Sequence, residues 1–326
     1  MVERTPGPGP VLVAAIDLGT NAFRLLIARI GADRGFTVLR VHRVIPRLGE
    51  GVSRTGVLSA AAMGRGLDAL REIRAIVDGY PLNAVMVVAT SAMREAANAG
   101  VFLRRVRSEL GFEIEIISGA EEARRTWLGV QAGHSNGRPT ADAFVLDIGG
   151  GSTEIMHIHG GALLKAVSLN IGVVKLSEQF IHHDPPAAGE LAALDIAVRD
   201  GLREAEPLRE GVGPCSVIGT AGTVTTAAAL YLNVAQYDPS LTHDTLVPRT
   251  AIEEISNHLA RLSSVERRRL PTLDPGREDV VMAGLAILRR VLDLFGVDEV
   301  RVSEYGLREG LIVDWIDRHL GLGIRA

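Results

Sequence analysis

The chain has 326 residues, of which 47% are hydrophobic and 23% charged, and its formal net charge is -4. This is the composition of an ordinary globular protein, and at roughly 100–200 residues per domain the length predicts two domains. The slightly negative charge excludes a general nucleic-acid footprint, so a polyanionic ligand must be held by local arginines and backbone amides.

Two further features of the composition bear on location. The single cysteine, Cys215, excludes an internal disulfide and a cysteine-rich zinc site, and it fits a reducing, cytoplasmic setting. Residues 1–10 are rich in proline and glycine, and we expect a disordered tail that is neither a signal peptide nor an anchor. No apolar run approaches the roughly 18–20 residues that span a bilayer, so we expect no membrane partner.

The first part of the chain alternates predicted strands and helices. Short apolar runs predict strands at 11–16, 23–30, 36–44, 84–89 and 113–117. The first three of them form an antiparallel meander. Helical spacing of apolar residues predicts helices at 58–77 and 98–110 and another from 118, with Ser59 and Ser118 as N-caps.

After a polar linker candidate at 133–140, the opening pattern of the chain returns. A strand at 143–146, an Asp-x-Gly turn at Asp147 and a strand at 154–158 repeat the unit found around Asp17. This duplication predicts two similar lobes that face each other. The remaining elements are strands at 215–218 and 299–303, helices at 173–180, 186–206, 249–263 and 278–295, and a terminal helix.

The two Asp-x-Gly turns are candidates for binding an anion and a metal. An Asp at the end of a buried strand lies at the sheet edge, and a Gly-rich hairpin aims several backbone N–H groups at one anion. Asp17 and Asp147, with a phosphate, could hold Mg²⁺ through hard oxygen ligands. The alternative is a pair of ordinary Asx-turns, but the three consecutive glycines at 149–151 cost strand stability and weigh against it.

A third loop, GTAGT at 219–223, joins a predicted strand to a predicted helix. Amides at the helix N-terminus could contact a phosphate there, or the loop is a plain strand-to-helix turn. Two common nucleotide sites are excluded. No G-x-x-x-x-G-K-[ST] motif occurs, and DIGGGSTE leads into a strand and not a helix, unlike a Rossmann fingerprint.

Six motifs follow one another along the chain: DLGTNAFRLL at 17–26, ATSAMRE at 89–95, SGAEEAR at 118–124, DIGGGSTE at 147–154, GTAGT at 219–223 and YGLREG at 305–310. In these motifs the chain resembles the Ppx/GppA family of exopolyphosphatases and guanosine pentaphosphate phosphatases, in its short two-domain form. The resemblance implies an α/β fold of two actin-like (ASKHA, ribonuclease H-like) lobes, 11–133 and 134–326, with an interdomain cleft. The terminal helix is free to pack back on the first lobe, and a homodimer is expected.

The resemblance also implies roles for single residues. One glutamate of SGAEEAR is the catalytic base; Glu122 is preferred and Glu121 comes second. Asp147 and Glu154 position the water and Mg²⁺, and Asp17 is the first-loop Asp. From the residues alone, both glutamates are better explained as acids that favour a helix N-terminus. The expected phosphate-binding residues are Gly19, Thr20, Asn21, Arg24, Arg94, Gly149, Gly150, Gly151, Ser152, Thr153, Gly219, Thr220, Gly222 and Thr223.

The expected activity is Mg²⁺-dependent hydrolysis of the terminal phosphoanhydride of inorganic polyphosphate, and a monovalent cation is left open as a second ion. Removal of the 5′ γ-phosphate from guanosine pentaphosphate is the alternative. An actin-like kinase and a non-catalytic alarmone sensor are rivals, and the complete set of acidic residues in the motifs argues against them. The run Arg267-Arg268-Arg269 is interpreted as solvated, with contact to a long polyanion as the other option.

Overall fold

The computed structural model describes residues 10–134, 142–234 and 236–320. The expected tail, save residue 10, and most of the expected linker at 133–140 lie outside the described residues, as does the end of the chain from 321. The chain divides into two compact units. The first contains Met1–Ala132 with Leu307–Ala326, and the second contains Gly133–Gly306.

The described residues form eleven strands and thirteen α-helices. The strands are β1 (Val11–Leu18), β2 (Phe23–Ile30), β3 (Phe36–Val44), β4 (Ala84–Ala89), β5 (Glu115–Ile116), β6 (Ala143–Ile148), β7 (Thr153–His159), β8 (Ala162–Leu169), β9 (Ser216–Thr220), β10 (Leu246–Pro248) and β11 (Glu299–Val302). The helices are α1 (Val52–Thr55), α2 (Ala60–Asp78), α3 (Ser91–Glu95), α4 (Ala99–Leu110), α5 (Gly119–Gly133), α6 (Val173–Phe180), α7 (Ala188–Gly201), α8 (Ala221–Leu232), α9 (Pro239–Thr242), α10 (Arg249–Leu259), α11 (Ser264–Arg268), α12 (Val281–Phe295) and α13 (Leu307–His319).

The first unit is built on a five-stranded sheet in the order β3-β2-β1-β4-β5. The predicted meander is confirmed, since β2 pairs antiparallel with both β1 and β3. On the other side of β1, β4 pairs parallel with β1, and β5 pairs parallel with β4. The central strand β1 is buried on both faces because its apolar run is continuous: Ala14 and Ile16 enter one core, and Val13 and Ala15 enter another. Helices α2 and α4 contribute to the first of these cores.

The terminal helix α13 covers the other face of the same sheet. Its residues Leu311, Ile312 and Trp315 share a core with Val13 and Ala15 of β1. The second lobe expected at 134–326 therefore differs from the second compact unit by this helix, which packs with the first unit. The physical reason is that β1 is apolar on both sides and needs a cover on each.

The second unit repeats the arrangement around a six-stranded sheet in the order β10-β11-β9-β6-β7-β8. Strands β6, β7 and β8 form the antiparallel meander, and β9 pairs parallel with β6, as β4 does with β1. Its main core contains buried residues of α6, α8 and α12. The predicted α/β class with two similar units is confirmed by these two matching sheets.

The sequence misplaced a few elements. Strand β8 carries mostly exposed residues without a continuous apolar run, so no strand was predicted there. The helix expected at 186–206 ends at Gly201 and continues as a 3₁₀ helix over Leu202–Leu208, which contains Pro207. The N-caps Ser59 and Ser118 are confirmed: their side chains accept the N–H groups of Ala62 and Glu121. No described helix is both long enough and apolar enough to cross a membrane.

The close approach of α13 to α5 gives a stability prediction. A Cβ added at Gly310 would lie 1.7 Å from the carbonyl oxygen of Arg125, so we expect Gly310→Ala to force the two helices apart and to destabilise the protein by about 3 kcal/mol. Gly64 in α2 is the matched control, because an added Cβ meets nothing within 4 Å. We expect Gly64→Ala to stabilise by about 0.5–1 kcal/mol. Urea unfolding of both variants checks the pair, and equal shifts would contradict the packing.

Candidate functional site

Both Asp-x-Gly loops have the same turn geometry. Asp17 lies near the end of β1 and Asp147 near the end of β6, and both side chains are buried. In each loop the glycine two residues later donates its N–H to a carbonyl three residues on: Gly19 to Ala22 at 3.1 Å, and Gly149 to Ser152 at 2.9 Å. The duplication seen in the sequence is therefore a duplication of backbone geometry.

The residue opposite the aspartate differs between the units. In the first unit Arg24 of β2 is the cross-strand partner of Asp17, and in the second unit Glu154 of β7 is the partner of Asp147. Directly opposite residues of antiparallel strands lie on one face with their Cβ atoms about 5 Å apart. Glu154 is fully buried and accepts a hydrogen bond from the hydroxyl of Ser168 at 2.7 Å. One unit thus pairs an acid with a cation, and the other pairs two acids.

The first loop is supported by the segment that follows β3. The N–H of Gly49 donates to the carbonyl oxygen of Thr20 at 2.9 Å, and the N–H of Arg47 donates to that of Asn21 at 3.0 Å. The hydroxyl oxygen of Thr20 is buried and has no hydrogen-bond partner among the described residues. A buried hydroxyl costs free energy unless it finds a partner, so this group suits an oxygen of a bound anion.

Buried Glu122 and half-buried Arg94 form an ion pair close to the first loop. Leu18 of β1 is in register with Ala89 of β4, so the chain after β4 starts beside the chain after β1. From there Arg94 donates to a carboxylate oxygen of Glu122 at 2.6 Å and to the carbonyl oxygen of Ile117 at 3.0 Å. The structure therefore brings two predicted site residues into contact.

Glu121, the second candidate for the base, points to a different set of partners. Arg124 donates to both of its carboxylate oxygens, at 2.7 and 2.8 Å, and Arg125 lies 2.6 Å from one of them. The hydrogen bonds from Arg124 hold the pKa of Glu121 below its usual range, against the opposing effect of burial. Arg124 also donates to Asp314, so this cluster ties α5 to α13. Glu121 is thus committed to the contact between these two helices.

The Gly-rich loop at 149–151 is packed against the start of α6. Val173 and Val174 donate their N–H groups to the carbonyl oxygens of Gly149 and Gly150, at 3.0 and 2.8 Å. A Cβ added at Gly172 would lie 2.4 Å from the carbonyl carbon of Gly151. The loop carbonyls are therefore committed to the helix, and a side chain at Gly172 would push the loop away.

The third loop begins beside Asp147, because Thr220 at the end of β9 is the register partner of Asp147. The next residue, Ala221, adopts a left-handed conformation with φ 63°, which is strained for alanine. The hydroxyl of Thr220 donates to the carbonyl oxygen of Tyr305 at 2.8 Å, and Thr220 makes no side-chain cap to α8. The N-terminal amides of α8 are thus left without this cap, as an anion site requires.

The hydroxyl groups of two expected phosphate-binding residues bond to backbone instead. In addition to Thr220, Thr153 donates its hydroxyl to the carbonyl oxygen of Ile171 at 2.7 Å and is fully buried. In these two residues the hydroxyl group stabilises the backbone conformation of its loop.

Arg277 is a candidate site residue that the sequence did not reveal. A Cβ added at Gly222 would lie 1.7 Å from a terminal nitrogen of Arg277, so its guanidinium lies directly against the third loop. Asp274 lies 3.4 Å from its Nε atom. The sequence holds no spacing that links positions 222 and 277. A lone glycine where an alanine would serve the helix better was the one available signal.

The arginine run at 267–269 was interpreted as solvated, and for Arg267 this is wrong. Arg267 is only 2% exposed and donates to the carbonyl oxygens of Leu259 and Glu278, at 3.0 and 2.7 Å. Burial lowers the pKa of its guanidinium. The reason is local: the chain folds back so that Glu278, next to Arg277, lies beside the run, and Arg268 pairs with its carboxylate.

Within 10–134, 142–234 and 236–320, no group of three or more His, Cys, Asp or Glu side chains is arranged to hold a metal ion. Mg²⁺ is usually bound by one or two carboxylates together with waters and substrate phosphates. The adjacent acids Asp147 and Glu154 fit that mode, because the register alone puts two buried carboxyl groups side by side.

The chain is similar to known proteins over nearly its whole length. The model of the Ppx/GppA phosphatase family matches residues 26–319. The chain is 35% identical to Exopolyphosphatase 2 of Mycobacterium tuberculosis over 315 residues, which covers 92% of this chain and 97% of that protein. The crystal structure of the Aquifex aeolicus member of the Ppx/GppA family is similar, with 32% identity, a TM-score of 0.78 and coverage of 95% of this chain and 99% of that one.

A second solved structure is similar over the same extent. The crystal structure of an exopolyphosphatase from Cytophaga hutchinsonii shares 28% identity at a TM-score of 0.87, and the match covers 94% of this chain and 98% of that one. The similarity therefore extends over both compact units and is not confined to one motif.

The Glu121 cluster gives a prediction for acid stability. Because the folded-state pKa of Glu121 is lowered, its contribution to stability is present above the ordinary carboxyl range, about pH 4.3, and is lost as the pH falls through the lower folded value. We expect Glu121→Gln to lower the unfolding midpoint at pH 7 and to approach the wild type as the pH falls below the ordinary carboxyl range. Thermal unfolding across this range checks it, with the exposed Glu254→Gln as control. A gap that is constant with pH would contradict the assignment.

Proposed function

Because the chain belongs to the Ppx/GppA phosphatase family, we propose that it is an exopolyphosphatase, which hydrolyses the terminal phosphoanhydride of inorganic polyphosphate with Mg²⁺ and releases orthophosphate. As a member of this family it is a hydrolase that acts on phosphoanhydrides. The observation that carries the finer proposal is the contact between Glu122 and Arg94, the carboxylate expected to be the base and the arginine expected to bind phosphate.

In this proposal Glu122 orients the attacking water and accepts its proton. The water oxygen forms a bond to the terminal phosphorus, the bridging P–O bond breaks, and the shortened chain leaves with the bridging oxygen. Arg94 holds Glu122 at 2.6 Å and is positioned to bind an oxygen of the same phosphoryl group. Glu121 belongs to the cluster with Arg124 and Arg125, whereas Glu122 contacts Arg94, the arginine expected to bind phosphate, and this difference supports Glu122 as the base. A positioned general base contributes about 10²–10⁴-fold to the rate.

Charge on the phosphoryl oxygens must be stabilised by fixed donors. In the first unit we propose the backbone amides of the first loop, the hydroxyl of Thr20 and the guanidinium of Arg24 for phosphate binding. In the second unit we propose the backbone amides of the Gly-rich and third loops and the guanidinium of Arg277. Arg277 is favoured by its position against Gly222, where it extends the third loop with a positive charge.

We propose Asp147 and Glu154 as ligands of Mg²⁺. We also propose a role in Mg²⁺ binding for Asp17, which has the equivalent register position in the first unit. Bound Mg²⁺ would neutralise charge on the phosphates. Without a cation, the two neighbouring carboxylates of the second unit would repel each other. The homodimer, a monovalent ion and the cytoplasmic location stay predictions.

The proposed activity is tested by measuring phosphate release from long-chain polyphosphate and from guanosine pentaphosphate, each with Mg²⁺ and with excess EDTA. Faster release from polyphosphate that EDTA abolishes supports the proposal. A preference for guanosine pentaphosphate would move the activity to the nucleotide. Release from neither substrate would turn the assignment to a kinase or an alarmone sensor.

The two neighbouring glutamates make a matched pair of variants. We expect Glu122→Gln to lower kcat on polyphosphate by about 10²–10⁴-fold, because the water loses its proton acceptor. Glu121→Gln should keep kcat within about threefold of the wild type at pH 7, since this residue serves the fold. Single-turnover phosphate release measures both, and a reversed order would assign the base to Glu121.

The contact between Gly222 and Arg277 gives a double-mutant prediction. In Gly222→Ala the new methyl group displaces only the flexible end of the Arg277 side chain, so the unfolding midpoint should change little. We expect a rise in KM of about tenfold, from the loss of a charge-assisted phosphate contact. Arg277→Ala should do the same, and the double variant should be no worse than either single one. Additive effects would show that the two residues act separately.

A further inference from the structure

The chain segment that follows β11 lies directly on the third loop. In this 303–306 segment, Ser303 donates its N–H to the carbonyl oxygen of Gly219 at 2.8 Å. The hydroxyl of Thr220 donates in the other direction, to the carbonyl oxygen of Tyr305 at 2.8 Å. The two residues that lead into α8 are therefore fixed by hydrogen bonds to this segment.

Glu304, in the middle of the segment, is bound through both of its carboxylate oxygens. The hydroxyl of Tyr237 donates to one of them at 2.5 Å, and the hydroxyl of Thr242, at the end of α9, donates to the other. Burial and the carboxylate of Glu304 raise the pKa of the Tyr237 hydroxyl, so this hydroxyl stays protonated and keeps donating. The Glu304 cluster, formed by Glu304, Tyr237 and Thr242, therefore attaches the segment to α9 and to the chain between α8 and α9.

The third loop needs such support because Ala221 is strained. Its φ of 63° lies in the left-handed region, which costs free energy for a residue that has a Cβ atom. A residue keeps a strained conformation only where its surroundings enforce it. Before Ala221, the loop is bonded to the 303–306 segment. After it, Thr223 lies against α12, since a Cβ added at Gly284 would be 2.7 Å from the Thr223 hydroxyl oxygen.

The strained conformation also sets the direction of the N–H groups at the start of α8. Ala221 is the first residue of α8, and the residues after it are helical. A left-handed residue beside right-handed ones turns successive N–H groups toward one side, and such a concave group of amides binds anions. If Ala221 relaxed to an ordinary conformation, these amides would diverge. The strain is therefore linked to the phosphate-binding role that we propose for the third loop.

We propose that Glu304 and Tyr237 are positioning residues for the third loop. Through the 303–306 segment they hold Ala221 in its strained conformation, so that the amides of α8 are already arranged when a phosphate of the substrate arrives. This inference rests on the proposed function and deepens it. In this arrangement neither side chain contacts the substrate, and both act only through the loop.

The test measures KM and kcat of Glu304→Gln and Tyr237→Phe on polyphosphate. A loop that adopts its binding conformation for only a fraction of the time binds with an affinity reduced by that fraction. Glu304→Gln loses the negative charge to which both hydroxyl groups donate, so we expect its KM to rise about tenfold. Tyr237→Phe loses one of the two hydrogen bonds, and its KM should rise about threefold. In both variants kcat should stay within about twofold of the wild type, because bound substrate restores the loop.

Ala221→Gly distinguishes a role in holding the loop from a general role in stability. Glycine adopts φ 63° without strain, so the loop keeps its conformation without the Glu304 cluster. We expect the double variant Glu304→Gln/Ala221→Gly to return to within about threefold of the KM of Ala221→Gly alone. A cluster that only stabilised the fold would give additive effects.

Asp195→Asn is the matched control within the second unit. The carboxylate of Asp195 accepts a hydrogen bond from Nε of Arg290 at 2.9 Å and so joins α7 to α12. We expect Asp195→Asn to lower the midpoint of thermal unfolding and to leave KM unchanged. Ala221→Gly should change the KM of this variant no more than it changes that of the wild type.

Two results would overturn the inference. One is a Glu304→Gln variant with a lowered unfolding midpoint and the KM of the wild type, which would make the Glu304 cluster structural. The other is a rise in KM that Ala221→Gly does not reverse, which would show that the cluster acts by a route other than the strained loop. If Glu304→Gln fails to fold, Tyr237→Phe carries the same comparison with Ala221→Gly.

The outcomes also separate this inference from the proposed function. Wild-type hydrolysis of polyphosphate with an unchanged KM in both variants would overturn the inference alone. If the wild type releases no phosphate, tripolyphosphate is titrated against the same variants by calorimetry. Binding that Glu304→Gln weakens and Ala221→Gly restores would then sustain the positioning role while the proposed activity fails, and absence of binding would overturn both.

Discussion

The structure depends on carboxylates held near the ends of buried strands. Asp17 and Asp147 follow runs of residues that are buried on both faces of a sheet, so their side chains are largely withdrawn from water. A buried charge is tolerated only where a cation or hydrogen-bond donors compensate for the lost hydration. In the first unit the strand register supplies Arg24. In the second it supplies Glu154, a second acid, so that two buried carboxyl groups lie side by side.

The two neighbouring glutamates also have cations beside them, but each contacts different arginines. Successive residues on a helix point about 100° apart, so Glu121 and Glu122 meet different surroundings. Glu121 joins Arg124, Arg125 and Asp314 in a cluster that ties α5 to the terminal helix. Glu122 faces Arg94, next to the first loop. The terminal helix in turn covers β1, the strand that carries Asp17, so the cluster supports the site through the core.

Much of the architecture could be predicted from the sequence because it depends on local patterns. The apolar run at 84–89 matches β4 to the residue, and the capping serines start α2 and α5 as expected. The candidate site could be predicted where it is carried by short motifs, as at Asp17, Arg94 and DIGGGSTE. It could not be predicted where it depends on a long-range contact: Arg277 reaches Gly222 across more than fifty residues, and Arg267 is buried by a return of the chain that no periodicity signals.

The sequence by itself determined the duplicated strand–turn–strand unit, the α/β class and the resemblance that names the chemistry, because these follow from residue order and from the spacing of apolar and glycine residues. Only the tertiary structure decided which of the two neighbouring glutamates contacts Arg94, which hydroxyl groups donate to backbone carbonyl oxygens, and which arginines lie against the loops. Those outcomes depend on strand register, on the direction of each side chain from its helix and on the packing of distant segments. Such relations are set by the three-dimensional fold and leave no fixed spacing along the chain.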